Sequence, residues 1–400
     1  MPREPIHPPA GGQPTHIILF RQPGAQNVSR LSALLHVGEA KGVRLRSSLS
    51  MLDEKHGVNP KVFEHLAAGV ASLNEDEVQK VLADDEVEAV FLNERRTLTR
   101  TQAASASASP TAHPPLGWPL SLLGMDGVPD HAGGSGVKVA VLDTGLDLSH
   151  PDLHQRVVEG DTAVSFVEGE SVQDGNGHGT HCAISLCGPR STQGSCRCGV
   201  APDVSLLAGK VLNNAGIGWD DQILDGMDWA AEKGASVIAM SLGSRRIKGR
   251  PFAAAYERVA SRLLADGVLV VAAAGNRSRR PRAVRPVQNP AACPSILAVA
   301  AVDEQRQIAR FSCGRTDDVG EVNLSAPGVA VYSGWTGGGY KKLSGTSMAV
   351  PHVAGVAALL RQQHPQATGQ ELWNLIISLA LPLGDPQDFG HGLVQLGPVN

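Results

Sequence analysis

The sequence predicts an α/β protein built on a mostly parallel sheet with helices over both faces, preceded by a small α+β module. Three observations predict it. Five short runs, at 137–142, 205–210, 237–240, 269–273 and 296–300, are almost continuously apolar, as strands buried on both faces are. Segments near 220–233 and 252–265 carry helical patterning between them, and these supply the crossovers that parallel neighbours need. Residues 101–115, rich in Ala, Ser, Thr and Pro, have no apolar periodicity and separate this region from a shorter one of different pattern. With 400 residues and 42% hydrophobic content, the chain can bury a sizeable core in two units of unequal size.

Taken in order, residues 1–14 form a Pro/Gly-rich tail. Residues 15–20 read as a strand and 28–36 as a short helix. Asn74 with Glu77 three residues on is a capping-box start for a helix running to Leu82, and 87–92 has the character of a half-buried strand. Residues 15–98 thus form a small α+β module of the split β-α-β, ferredoxin-like kind. Residues 99–116 read as an exposed, easily cut linker, and 117–400 as the larger domain. Within that domain 348–360, dense in Ala, Val and Leu, reads as a buried helix, and Thr368 with Glu371 opens a last one.

A net charge of −4 gives no electrostatic case for a nucleic-acid or anionic-membrane partner. No apolar run approaches the ~18 residues that span a bilayer. The N-terminus has no apolar signal core, so the expectation is a cytoplasmic protein or one exported by a non-standard route. Cys187, Cys196 and Cys198 lack zinc-ligand spacing; with Cys293 and Cys313 they are disulfide candidates in an oxidising compartment and free thiols in a reducing one.

The chemistry gathers at four places. Asp143 follows an apolar strand, where the carboxyl ends of a parallel sheet hold ligands. His178 sits among glycines before a helical run, and neither it nor His181 has the His-x-x-x-His spacing of a zinc pair. Ser347 stands at the mouth of the 348–360 helix, whose unpaired N–H groups favour developing negative charge. Asn276, after the apolar run 269–273, offers an amide donor for an oxyanion. Taken singly, Asp143 also reads as a strand-ending turn, Ser347 as a helix N-cap and Asn276 as a turn former. Taken together, carboxylate, imidazole, hydroxyl and amide are the parts that acyl transfer needs.

Asp143-Thr144-Gly145, His178-Gly179-Thr180-His181, Ala274-Gly275-Asn276 and Gly345-Thr346-Ser347-Met348-Ala349 resemble the signature blocks of subtilisin-like serine peptidases. The resemblance implies a three-layer α/β fold and serine endopeptidase activity, with Asp143, His178 and Ser347 as triad and Asn276 in the oxyanion hole. It further implies that Ser241, Leu242 and Gly243 lie in the edge segment that pairs with an extended substrate, and that Ala274 and Gly275 also belong to the substrate-binding residues. Residues 15–98 resemble the family's inhibitor-like propeptide, which would make the chain a self-processing zymogen cut within the linker. A permanent accessory domain is the alternative. We expect a monomer acting on protein or peptide substrates, with its own N-terminal module as intramolecular inhibitor and no cofactor. A dedicated peptide-maturation protease and an inactive protease-like binding module are the competing readings.

The sequence also departs from that family. The loop at 188–198, where many relatives hold calcium, has two arginines and two thiols but no carboxylate, so no metal is expected there. Val350 replaces the usual threonine, and Cys182 stands four residues after His178, as in one branch of the family. Arg277, Arg279, Arg280, Arg282 and Arg285 crowd one loop; they form a solvated face, bias the site toward acidic substrates, or dock the acidic segment 84–86. With histidine rather than glutamate at 178, activity is expected near neutral to alkaline pH.

Overall fold

The computed structural model describes residues 14–35, 60–63, 65–99, 101–104, 116–129, 131–153 and 156–397. Its centre is a seven-stranded, wholly parallel sheet in the order Leu324–Pro327, Leu297–Val302, Leu269–Ala273, Val237–Met240, Lys138–Asp143, Ser205–Lys210, Ala163–Ser165. Strand periodicity divides its side chains between two cores. Val139, Val141, Val237, Ala239, Val271 and Val299 face the helices His178–Cys187 and Thr346–Gln363. Ala140, Leu142, Ile238, Met240, Val270 and Ala298 face Asp220–Glu232 and Ala254–Ala265. This is a three-layer α/β fold with a mostly parallel sheet.

The first module forms a four-stranded antiparallel sheet in the order Lys61–Phe63, Ala68–Ala71, His16–Phe20, Val87–Leu92. Its helices Gln26–Leu35 and Glu75–Leu82 cover one face, over Ile18, Phe20, Val62 and Val87. Asn74 caps the second helix through the reciprocal bonds its spacing with Glu77 predicts. The other face, with Ile17, Leu19, Phe63, Ala68 and Val70, joins the second core of the large domain. Arg262 fastens the two by donating to the carbonyls of Leu66 at 2.7 Å and Phe20 at 2.7 Å. Asp228 accepts from the backbone N–H groups of His65 and Leu66.

Several expected bounds shift by a residue or two, as helix and strand ends commonly do. One expectation needs correcting. The linker read at 99–116 is not structureless from its start: Gln102–Ala104 is a strand paired antiparallel with Gly339–Ser344. Its three residues, one glutamine and two alanines, carry no period-two signal; the pairing comes from backbone groups meeting an available edge. The expected tail at 1–13 and the linker stretch 105–115 lie outside the described residues.

Candidate active site

Asp143 is the last residue of its strand, and His178 is the first residue of the helix His178–Cys187. Gly177 caps that helix at φ 101, with Trp335 packed where a side chain would stand, so only glycine fits without strain. The carboxylate of Asp143 accepts from His178 Nδ1 at 2.8 and 3.0 Å and from the backbone N–H of Thr144 at 2.7 Å. With Nδ1 donating, Nε2 is left as the basic nitrogen of the ring. Nε2 is buried and has no hydrogen-bond partner among the described residues.

Burial lowers the basicity of His178, but the charge and hydrogen bond of Asp143 outweigh it and hold the imidazole well above its usual value. Cys182 lies beneath it, Sγ 3.8 Å from Nδ1. Burial pushes that thiol up, so it is neutral near pH 7 and Asp143 is the group that matters. His181, by contrast, is structural: Nε2 bonds the Val331 carbonyl, and burial is the main cause of a pKa near 3.

Ser347 is fully buried in the first turn of Thr346–Gln363, two residues past Gly345. Pro351 sits four residues later and has no N–H to give the Ser347 carbonyl. That carbonyl is instead satisfied by Ser241 Oγ at 2.9 Å and approached by Cys182 Sγ at 3.7 Å. The proline thereby ties the serine turn to both the strand end at Ser241 and the histidine helix.

Asn276 lies beyond Leu269–Ala273, after Gly275, whose φ of 110 and contact with Gln288 exclude a side chain. Its Oδ1 accepts from the Thr346 N–H at 2.9 Å and the Thr346 hydroxyl at 2.8 Å. This fixes the amide so that Nδ2 stands 3.0 Å from the place a Cβ on Gly345 would occupy, against the turn that carries Ser347.

A strand of the first module runs through the site. Arg95–Leu98 lies antiparallel between Ile217–Trp219 and Leu242–Gly243, with Thr97 opposite Ile217 and Gly243, and Leu98 opposite Leu242. The next residue, Thr99, hydrogen-bonds Ser347 Oγ through its hydroxyl, while Ser347 Oγ also donates to the Ser241 carbonyl at 3.3 Å.

The strand Arg95–Leu98 thus pairs with Leu242 and Gly243 and leads to Ser347, which Ser241 and Asn276 hold through its own turn and Cys182 joins to His178 and Asp143. Ala274 and Gly275 do not pair with that strand through their backbone groups. The Ala274 N–H and carbonyl are spent on Val299 and Gln288, and those of Gly275 on Thr346 Oγ1 and the Cys313 N–H. Among the described residues no ion pair joins the arginine loop to the acidic segment 84–86: Asp84 pairs with Arg30 at 2.8 Å, and Arg280 is held by Asp388 and the Ser312 carbonyl. All six cysteines are unbridged. Among the described residues, the one set of three metal-ligand types within 4.8 Å of one another is Asp143, His178 and Cys182, within the site itself. Sequence reading missed the second flanking strand, Ile217–Trp219, for which Gly216 and Gly218 were a weak signal of close backbone approach.

Comparison with known proteins gives the family. Residues 134–392 match the subtilase family, Peptidase S8. Subtilisin DY of Bacillus licheniformis is 43% identical over 265 residues, covering 66% of this chain and 90% of that protein. The thermostable alkaline protease of Halalkalibacterium halodurans is 37% identical over 84% of this chain and 83% of its own. Subtilisin E of Bacillus subtilis is 35% identical over 86% of this chain and 84% of its own. The chain therefore belongs to the subtilase family of serine endopeptidases.

Proposed function

We propose that this endopeptidase works through Asp143, His178 and Ser347 with Asn276 as oxyanion donor, and is made as a zymogen that cuts itself after Thr99. The observation that carries the reading is the strand Arg95–Leu98, which lies in the cleft as a substrate would and leads to Thr99 against Ser347. The match to subtilisin E supports it, because 86% of this chain cannot be supplied by residues 117–400 alone.

In the reaction, His178 Nε2 takes the Ser347 hydroxyl proton as Oγ bonds the carbonyl carbon of the residue being cut. Asp143 holds the tautomer and stabilises the imidazolium that forms. The carbonyl oxygen becomes an oxyanion, met by Asn276 Nδ2 and the Ser347 N–H. As the C–N bond breaks, the imidazolium returns its proton to the leaving amine. Water, deprotonated by the same nitrogen, then hydrolyses the acyl-serine and frees the enzyme.

In the intact chain Ser347 bonds Thr99 and Ser241 rather than His178, so the first module acts as inhibitor and first substrate in turn. Labelling with a fluorophosphonate tests the nucleophile. The wild-type chain should be labelled and should degrade an unfolded protein, and Ser347→Ala should do neither. Labelling that survives in Ser347→Ala would contradict the assignment.

A further inference from the structure

The side chain of Arg96 does not behave as a surface arginine on a docked inhibitor. It is 2% exposed, while its neighbour Arg95 is exposed. Its guanidinium grips Asp220 with both forks, Nε to Oδ1 at 2.5 Å and Nη2 to Oδ2 at 2.7 Å, and its third nitrogen donates to Ser244 Oγ. The Tyr256 ring lies 5.4 Å from its central carbon, and the Tyr256 hydroxyl donates to Asp220 Oδ1 at 2.8 Å. From the first module itself come Glu94, whose side chain approaches Nη1 at 3.1 Å, and the Glu94 N–H, which reaches Asp220 Oδ2 at 3.2 Å.

Every wall of this pocket apart from Glu94 belongs to the large domain: Asp220 opens Asp220–Glu232, Tyr256 lies in Ala254–Ala265, and Ser244 follows Leu242–Gly243. The pocket therefore stays with the enzyme when the first module leaves. Arg96 stands opposite Gly218 in the strand pairing, so the enzyme edge reaches the strand at the arginine itself. Asp220 is 2% exposed and Tyr256 fully buried, so an occupant without positive charge leaves a sheltered carboxylate uncompensated. The fork geometry takes both carboxylate oxygens at once, which an ammonium cannot do.

We propose that Asp220 makes this pocket a selective subsite for arginine, read in substrates at the third residue before the one whose carbonyl Ser347 attacks. The proposal rests on the peptidase reading above and on Arg95–Leu98 marking the path of substrate. The preferred substrates are then extended segments with Arg followed by two residues and the cut residue, as in Arg96-Thr97-Leu98-Thr99.

The test uses quenched fluorogenic peptides built on residues 94–99 and carried past the cut, with Arg, Lys, Gln or Met at the position of Arg96. They are assayed with the purified full chain once its hydrolysis has become steady. The kcat/KM for the Arg peptide should exceed that for Gln by about tenfold or more, with Lys between them. Asp220→Asn should bring the Arg-to-Gln ratio toward one. A wild-type ratio near one overturns the proposal, and the wild-type comparison decides this even if the variant fails to fold. A ratio that persists in a folded Asp220→Asn overturns it equally. If none of the peptides is cut and Ser347 takes no fluorophosphonate, the peptidase reading fails and this subsite with it.

Discussion

The hydroxyl of Thr99 is hydrogen-bonded to the hydroxyl of Ser347, so the first module ends its path through the cleft on the residue assigned as nucleophile. Two edges hold the approach, Ile217–Trp219 on one side and Leu242–Gly243 on the other. Beyond Thr99 the chain pairs again, as Gln102–Ala104 against Gly339–Ser344. A segment held on both sides of the reactive serine is positioned by backbone hydrogen bonds, which any extended peptide can make. Selectivity must then come from pockets for alternate side chains, and the one around Arg96 is charged.

Asn276 should matter more to turnover than to binding. Removing one preorganised oxyanion donor costs about 10²–10³ in kcat, so Asn276→Ala should lose that much with little change in KM. Because Asn276 Oδ1 also accepts two bonds from Thr346, the melting temperature should fall as well, by the equivalent of about 1–2 kcal/mol. Steady-state kinetics with a peptide substrate separates the two; a rise in KM at constant kcat would remove Asn276 from the oxyanion site.

The pH profile follows from the sign of the His178 shift. Catalysis needs the neutral imidazole, and Asp143 raises its pKa above the ordinary value of 6.5. Activity should therefore fall as pH drops, along an acid limb whose midpoint lies above 6.5. The stability contributed by the Asp143–imidazolium pair has the opposite trend: it is complete below pH 6.5 and lost as pH rises through the raised value. A profile of kcat/KM against pH with its acid midpoint below 6.5 would contradict this electrostatic account.

Arg262 ties the first module down through the carbonyls of Phe20, Leu66 and Ala67. Hydrogen bonds from a charged donor contribute about 1.5–3 kcal/mol. Arg262→Ala should loosen the module, shortening the lag before peptidase activity appears in the full chain by about tenfold. An unchanged lag would show that the packing of Ile17, Leu19, Phe63 and Val70 alone sets release.

Much of the large domain was legible because its strands are buried on both faces. The runs 237–240 and 269–273 are wholly apolar and 205–210 is polar only at its two ends, and their observed bounds coincide with those expected. The capping residues Asn74 and Thr368 were equally plain, since each spacing names its own hydrogen bonds. What escaped was held by something other than its own pattern. Arg95–Leu98 has two charged residues in succession and becomes a strand only between two waiting edges. Arg96 reads as a surface charge until Asp220, 124 residues away, is seen to face it. Of the site, the residues at element ends were readable from glycine and strand context, whereas nothing in the pattern showed that the backbone groups of Ala274 and Gly275 bond to Val299, Gln288, Thr346 and Cys313 rather than to the strand in the cleft.

The most direct measurement is the intact mass and N-terminal sequence of the purified chain after incubation, beside Ser347→Ala. The account predicts that the wild type yields a large fragment beginning at Arg100 and a first-module fragment ending at Thr99, while Ser347→Ala stays whole. A wild-type chain that keeps its full mass while hydrolysing peptides, or a Ser347→Ala chain cut at the same bond without added protease, would contradict it.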